Sequence, residues 1–269
     1  MIRALALVPL FVLPLLRQDE PSQDPAGDPD PRELLTATFA QEGLRLDLER
    51  GVVSLPARVL VKNDLLEYLL VGPRGATHES LFLTDVTPSV LNAALLTVGV
   101  TPGQNARWVE KEGEVDERGR PQYEVLPPEG DGFLIYVAWR EGEESYLYRV
   151  DDLISNLATR RSLRRHRWVY LGSRFHKGKP DAPEVFVADQ SQNLVNLSFF
   201  YTGDTLVTAA LPECEEQTIW VGNTWILPER DQEVSLLFTR DVLASLPPDW
   251  DEELPVVQTP PADDPEDAR

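Results

Sequence analysis

Three adjacent side chains, His78, Glu79 and Ser80, have the chemistry to bind a ligand or to take part in a reaction. An imidazole titrates near neutral pH and can bind a metal, while the carboxylate and the hydroxyl supply oxygen ligands. The sequence places them in a predicted strand just before a predicted helix, whose amino-terminal N–H groups would favour an anion. His78, Glu79 and Ser80 are therefore the candidate ligand-binding residues.

Strand geometry limits what this triplet can do. Side chains alternate between the two faces of a strand, so His78 and Ser80 would share one face and Glu79 would lie on the other. That alternation separates His78 from Glu79 as metal ligands, and a Ser80–His78 pair lacks an orienting acid and an oxyanion loop. Two other interpretations remain open: a buried histidine that joins strand to helix, and a hydrolase or metal-dependent enzyme centred on His78 and Glu79.

The elements around the triplet are predicted to be mostly strands. Apolar runs with alternation or β-branched residues indicate strands at 44–48, 52–61, 65–71, 78–83, 133–139, 145–149, 168–173, 184–188, 194–200, 205–211 and 233–239. Their short connections favour neighbouring antiparallel pairs. The predicted fold class is α+β: a predominantly antiparallel β-sheet with one well-defined helix at about 87–98 and a shorter second helix at about 150–159.

The first helix has both a start and a stop in its sequence. Asp85 or Thr87 can cap its amino end, and Pro88 suits the first helical position. Gly99 can adopt the left-handed conformation that ends a helix. An apolar face is formed between these signals by Val90, Leu91, Ala94, Leu95 and Val98.

Two further segments carry a possible function. Residues 104–132 are polar and predict a long loop or a hairpin excursion. Residues 159–167 form a basic cluster, T-R-R-S-L-R-R-H-R, which could bind a nucleic acid or an anionic lipid. The cluster is short and has no interleaved aromatic residues, so we expect a solvated or intramolecular electrostatic role.

Composition excludes several function classes. The formal net charge of −20 disfavours nucleic acid, because phosphate binding requires clustered Lys and Arg. Cys214 is the only cysteine, so one chain can form neither an internal disulfide nor a cysteine-ligated iron–sulfur or zinc site. We expect no metal and no cofactor.

The two ends of the chain differ from its middle. Residues 1–17 combine a short basic start with an apolar run that has the length of a signal peptide or a short membrane anchor. Residues 18–33 form an acidic, proline-rich linker that we expect to be disordered, and residues 249–269 form an acidic tail with the same expectation. A single β-rich domain would occupy 34–248. The location implied is extracytoplasmic, periplasmic or secreted, with a membrane tether if the first segment is not cleaved.

A series of short motifs resembles one known family. They are L-E-Y-L-L-V at 66–71, H-E-S-L-F at 78–82, L-N-A-A-L-L at 91–96, W-V-Y-L-G-S at 168–173 and N-T-W-I-L-P at 223–228. In this order, over roughly residues 45–240, they resemble the YdjY-like domains, bacterial extracytoplasmic domains of unknown function. The resemblance implies a location and a domain, and it carries no activity. Some members have cysteine clusters suggestive of iron–sulfur binding, which Cys214 alone cannot reproduce.

The function predicted from these observations is a non-catalytic binding or scaffold module of the bacterial cell envelope. Its partner would be an envelope protein or a small ligand, and not a nucleic acid. Membrane contact would occur only through an uncleaved amino-terminal segment. The alternative is the exported hydrolase or metal-dependent enzyme centred on His78 and Glu79.

Overall fold

Short strands make up most of the protein. The computed structural model describes residues 30–60 and 63–258. The helices are α1 Pro31–Gln41, α2 Pro88–Thr97 and α3 Val187–Ser191, and single 3-10 turns lie at Thr77–Glu79, Val150–Leu153 and Pro212–Glu215. The strands are β1 Arg45–Asp47, β2 Val52–Val59, β3 Tyr68–Val71, β4 Ser80–Leu83, β5 Arg107–Val115, β6 Pro121–Leu126, β7 Gly132–Glu141, β8 Glu144–Arg149, β9 Ile154–Asn156, β10 Trp168–Tyr170, β11 Phe175–His176, β12 Val185–Phe186, β13 Asn193–Asn196, β14 Val207–Thr208, β15 Trp220–Gly222 and β16 Glu233–Thr239.

Eight of these strands close into a β-barrel. The order around it is β2-β16-β7-β10-β14-β13-β3-β4, and β4 pairs again with β2. The pairs β3–β4 and β13–β14 are parallel and the other barrel pairs are antiparallel. The predicted α+β class with a predominantly antiparallel sheet is therefore wrong: the fold is mostly β, a mixed barrel with three short helices. Apolar alternation indicates which residues form strands, but it does not indicate which distant strands pair or in which direction.

Strand β2 closes the barrel by dividing one of its edges between two partners. Residues 52–54 pair with β1, and residues 58 and 59 pair with β4. Pro56 lies in the gap between them, where its missing N–H removes no hydrogen bond from either ladder. Its carbonyl oxygen accepts a hydrogen bond from the Thr84 hydroxyl at 2.8 Å. Only the middle of β2, around Pro56, thus lacks a strand partner on that side.

Part of the barrel wall has an apolar core on each of its two faces, one inside the barrel and one outside. Inward side chains of β2, β7, β10 and β16 belong to the main core, which includes Leu55, Ile135, Trp168 and Phe238. Outward side chains of β7 and β16 form a second, smaller core with Trp250 and Leu254. The described part of the predicted acidic tail, residues 249–258, thus packs on the barrel, and residues 259–269 lie outside the described part of the chain.

Helix α2 confirms the predicted helix at about 87–98, and its inner face is buried through Leu91, Ala94 and Leu95. Gly99 follows with a φ of +78°. The capping interaction differs from the prediction: the Thr87 side chain makes no capping hydrogen bond. The carboxylate of Asp189, from α3, accepts the Ser89 N–H at 2.8 Å instead. Asp189 lies 100 residues from Ser89 in the chain, yet it satisfies a free N–H at the start of α2 and complements the helix dipole. No local sequence pattern predicts this contact.

The predicted second helix at about 150–159 is wrong. The chain makes a single 3-10 turn at Val150–Leu153 and then enters β9, which pairs antiparallel with β15. Residues 153, 154 and 157 do lie at helical spacing, but the backbone of 154–156 bonds to strand β15. The tertiary partner therefore overrides the local helical pattern.

Other predictions are settled in the loops. The segment 104–132 is a hairpin excursion, built from β5 and β6. The segment 189–193 contains the end of α3, which stops at Gln192 with a φ of +53°. The predicted signal or anchor at 1–17 lies outside the described residues, and so does the predicted linker up to residue 29. Asp30 caps α1, which begins at Pro31. Within the described ranges, no helix is long and apolar enough to cross a bilayer.

Candidate binding site

The structure divides the predicted triplet between the surface and the core. His78 and Glu79 lie in a 3-10 turn, with His78 Nε2 and Glu79 Oε1 separated by 3.4 Å. The His78 side chain is 77% exposed, so the interpretation as a buried histidine is wrong. Ser80 begins β4, is fully buried, and donates its hydroxyl to the Phe82 carbonyl oxygen at 2.9 Å. Because the strand starts at Ser80, His78 and Ser80 do not share a strand face.

Glu67 joins this surface turn, although its sequence position did not predict that. Its backbone N–H bonds the Glu79 carbonyl oxygen at 2.9 Å. Burial, followed by the charge of Glu79 and a hydrogen bond with it, raises the pKa of the Glu67 carboxyl, and His78 opposes that rise. The structure therefore brings together two carboxyls and one imidazole at an exposed turn.

A buried ionic cluster lies elsewhere, at the end of β8. Asp151 is fully buried and accepts hydrogen bonds at Oδ2 from both Arg149 Nε and Nη2, at 3.1 and 2.8 Å. His166 Nδ1 lies 2.8 Å from Asp151 Oδ1, and the His166 N–H bonds the same oxygen. Arg149 also bonds the His166 carbonyl oxygen at 2.6 Å. This cluster fastens the loop that contains the basic segment to the barrel.

The predicted basic cluster at 159–167 forms ion pairs with the folded domain. Arg164 pairs with Glu213 at 2.6 Å, and Arg165 pairs with Asp152 at 2.7 Å. Arg167 donates to the carbonyl oxygens of Gly132 and Arg240. These contacts confirm the intramolecular electrostatic role expected for Arg164 and Arg165.

One surface cleft of about 550 Å³ is lined by charges of both signs. Its arginines bond within the protein: Arg50 to Asp47 and Arg240 to the Gly99 carbonyl oxygen at the end of α2. Carboxylates from Glu49, Asp131 and Asp241 also line it. The opposing charges and existing hydrogen bonds leave this cleft with little preference for an anion or a cation.

A second cleft, also of about 550 Å³, has a different chemistry. We call it the Trp225 cleft, and its lining residues are Asn63, Ser155, Asn156, Leu157, Arg160, Ser162, Val221, Gly222, Asn223, Thr224 and Trp225. Trp225 is 95% exposed. Arg160 is the one charged side chain among these described lining residues, and the others are neutral. Neutral polar groups beside an exposed aromatic ring suit a ligand that is itself both polar and apolar.

Two ordered turns hold the walls of the Trp225 cleft. The Asn223 carbonyl oxygen accepts the N–H groups of Ile226 and Leu227, each at 3.1 Å, and Leu227 is buried. On the opposite wall, Asn156 Oδ1 accepts the N–H groups of Ala158 and Thr159. The pairing of β9 with β15 forms the floor between them. The cleft is therefore built on hydrogen-bonded backbone.

No motif in the sequence singles out these residues. The local signal is Gly222-Asn223, which is typical of a turn and lies between Trp220 and Trp225. The structure buries Trp220 and exposes Trp225. The lining comes from three separate stretches of the chain, so the neutral character of the cleft appears only after folding.

Cys214 belongs to the core. It is fully buried, and burial, with a smaller contribution from Glu213, raises the pKa of its thiol. Such a thiol is a poor nucleophile because the thiolate is the reactive form. Among the described residues, no group of three or more His, Cys, Asp and Glu side chains is arranged to hold a metal ion.

The chain matches one protein-family model, that of the YdjY domain, over residues 44–239. No curated protein matches it, and no solved structure matches it. The matched range contains every strand from β1 to β16, including the whole barrel, and it agrees with the resemblance found in the sequence over roughly 45–240. The chain belongs to the YdjY domain family.

Proposed function

We propose that this protein is a non-catalytic binding module of the bacterial cell envelope, located outside the cytoplasm, and that it binds through the Trp225 cleft. The observation that carries the proposal is the exposure of Trp225 beside a cleft of neutral side chains. A tryptophan can bury about 150–250 Å² when it is covered. Large aromatic residues of this kind dominate the binding energy of many interfaces.

The extracytoplasmic location is supported by the amino-terminal sequence. Residues 1–17 have a short basic start and an apolar run of signal-peptide length, followed by an acidic, proline-rich stretch. Amino-terminal sequencing of the protein recovered from fractionated cells tests this part. A new amino terminus in the envelope or secreted fraction is expected, and an intact Met1 in the cytoplasmic fraction would contradict export.

Binding is tested by co-sedimentation with isolated envelope material. The purified protein, as the cell produces it, should sediment with that material, and Trp225→Ala should reduce the bound fraction at least about tenfold. Trp108→Ala is the matched control, because Trp108 is also exposed (57%) but lies on the β5–β6 hairpin. Equal binding by the wild type and Trp225→Ala would contradict the use of this cleft.

The alternative enzyme has one specific observation in its favour. Glu67 has a raised carboxyl pKa beside Glu79 and His78, and a carboxyl of raised pKa suits a general acid. Hydrolysis of envelope material that is lost in Glu67→Gln and retained in Trp225→Ala would support this second candidate. If Glu67→Gln and Trp225→Ala both hydrolyse envelope material as well as the wild type does, this second candidate is wrong.

A further inference from the structure

We infer that the Trp225 cleft binds a glycan chain, with the indole ring of Trp225 stacked on the C–H face of a pyranose unit. This inference rests on the proposed function, since it names the class of ligand for the same cleft. A sugar ring presents polarised C–H groups on one face and hydroxyl groups around its edge. An aromatic face, which is electron-rich, attracts the first, and neutral polar side chains hydrogen-bond the second.

The backbone that carries Trp225 is held in place before a ligand arrives. Asn223 Nδ2 bonds the Asp152 carbonyl oxygen at 3.0 Å, and the turn that follows is closed by two hydrogen bonds to the Asn223 carbonyl oxygen. Leu227 is buried just beyond Trp225. The backbone on both sides of the exposed indole is thus fixed within the folded domain, which lowers the backbone entropy lost when a ligand stacks on the ring.

Around this platform the cleft has unused hydrogen-bonding groups. The hydroxyls of Ser155, Ser162 and Thr224 make no hydrogen bond within the described part of the chain. Asn156 uses its Oδ1 for the turn 156–161, while its Nδ2 makes no bond to another described residue. Hydroxyl and amide groups can each donate to a sugar hydroxyl, and the hydroxyls and amide oxygens can also accept from one.

The charge of the lining selects against other ligand classes. No carboxylate from the described residues lines the cleft, although the whole chain has a net charge of −20. Protein sites for divalent cations usually include at least one such carboxylate. Anionic headgroups and phosphates require several cations, and Arg160 is the one described cation in the lining. A neutral glycan needs neither, and Arg160 can serve as a hydrogen-bond donor to a ring or hydroxyl oxygen.

The apolar part of the cleft is small and localised. Leu157, which is partly exposed, and Val221 are the aliphatic side chains in the lining. A helical or extended peptide would require a longer apolar groove with regularly spaced anchors. One indole ring with a few aliphatic contacts matches the size of one or two sugar rings. A protein partner is therefore the competing outcome of the experiment below.

The test uses three neutral oligosaccharides as probes: the β-linked tetramers of N-acetylglucosamine and of glucose, and the α-linked tetramer of glucose. Binding to the purified protein is followed by the chemical shifts of the tryptophan indole N–H groups. We expect at least one probe to bind with a dissociation constant of about 1 mM or lower and to shift the Trp225 signal. Trp225→Ala should weaken that binding at least about tenfold, and Trp225→Tyr should retain part of it because an aromatic face remains.

Matched controls separate a specific site from general adhesion. Trp108→Ala should leave the dissociation constant unchanged, since Trp108 contacts Tyr201 away from this cleft. Ser162→Ala, which removes a hydroxyl from the lining, should weaken binding by about two- to tenfold. Both substitutions at position 225 alter an exposed side chain, so their folding can be verified by an unchanged circular dichroism spectrum. Binding that is unaffected by Trp225→Ala would overturn the inference.

Failure of this inference is distinguishable from failure of the proposed function. Envelope material is treated either with periodate followed by glycoside hydrolases, or with a protease. Periodate cleaves the vicinal diols of rings such as glucose, and the hydrolases cleave chains of N-acetylated sugars, whose inner rings lack a vicinal diol. If the Trp225-dependent co-sedimentation survives the first treatment and is lost after proteolysis, the ligand is a protein and the glycan inference is wrong, while the binding function stands. If it is lost after the first treatment and survives proteolysis, the glycan inference is supported. If Trp225 has no effect on co-sedimentation at all, both fail.

Discussion

At the scale of single residues, Asp151 shows how a buried charge can be compensated. The carboxylate is completely removed from solvent, and its two oxygens accept hydrogen bonds from the guanidinium of Arg149 and from the backbone N–H of His166, whose ring Nδ1 lies 2.8 Å from Oδ1. Removing two charges from water is costly, and their attraction offsets the cost only when such hydrogen bonds are made. Loss of one partner of Asp151 should therefore lower the free energy of unfolding far more than loss of an exposed ion pair.

Asp151→Ala should therefore lower the free energy of unfolding by about 3–5 kcal/mol, because it leaves the Arg149 guanidinium buried without its counter-charge. The adjacent Asp152 is the matched control, since its partner Arg165 is largely exposed. Asp152→Ala should cost about 1 kcal/mol or less. Urea unfolding followed by tryptophan fluorescence measures both. Equal losses in the two variants would contradict the structural role given to Asp151.

At the scale of elements, Gly132 permits the approach of two barrel strands. It begins β7 and lies opposite Val169 of β10. A Cβ atom built at Gly132 would lie 1.9 Å from the Trp168 carbonyl oxygen, a distance that no real Cβ can adopt. The glycine is thus required by the close contact of two backbones.

Gly132→Ala should destabilise the protein by about 3 kcal/mol, the upper end of the usual cost of overpacking, because β7 and β10 would have to separate. Gly178→Ala is the control, since nothing lies within 4 Å of a Cβ added there. Its effect should stay within about 0.5 kcal/mol. Thermal unfolding of the two variants compares them. An unfolding temperature for Gly132→Ala that matches that of Gly178→Ala would show that the strands can separate without cost.

The elements also show which parts of the fold the sequence could predict. Helix α2 was predictable because Pro88, its apolar face and Gly99 all lie within one short segment. Barrel closure was not, because it depends on β2 pairing with β4, on the distant pair β13 and β3, and on parallel pairing of the consecutive strands β3 and β4. The same reason explains the site: the residues of the triplet are adjacent in sequence, but the fold keeps His78 and Glu79 together at the surface and buries Ser80. The Trp225 cleft is assembled from distant segments.

At the scale of the whole molecule, the core contains phenol groups whose ionisation opposes folding at high pH. Burial, followed by the charges of Glu67 and Glu79, raises the pKa of Tyr68 to about 12, and burial raises the pKa of Tyr170 to about 12. In the unfolded chain a tyrosine ionises near pH 10. Below that pH both states carry the proton and stability is intact. Between about pH 10 and 12 only the unfolded state loses it, so stability falls as pH rises.

Tyr68→Phe should reduce this alkaline loss. The slope of the unfolding free energy against pH, between about pH 10 and 12, should become shallower by up to about 1.4 kcal/mol per pH unit, the contribution of one proton. Tyr123→Phe, at an exposed position, should leave the slope unchanged. Urea unfolding at several pH values gives both slopes. An unaltered slope in Tyr68→Phe would mean that the buried phenol ionises as readily as a free one.

The second core outside the barrel has a consequence for local motion. Leu134, Tyr136 and Ala138 of β7 and Leu237 of β16 are covered by Trp250 and Leu254, while the opposite faces of both strands line the main core. The segment 249–258 is itself fastened by Arg45, which pairs with Glu253 at 2.8 Å and lies 4.7 Å above the Trp250 ring. Amide hydrogens in the centre of β7 and β16 should therefore exchange with deuterium only when the barrel opens as a whole. Trp250→Ala should increase the exchange rate in β7 and β16 much more than in β13 and β14. Mass spectrometry of labelled peptides would measure this difference.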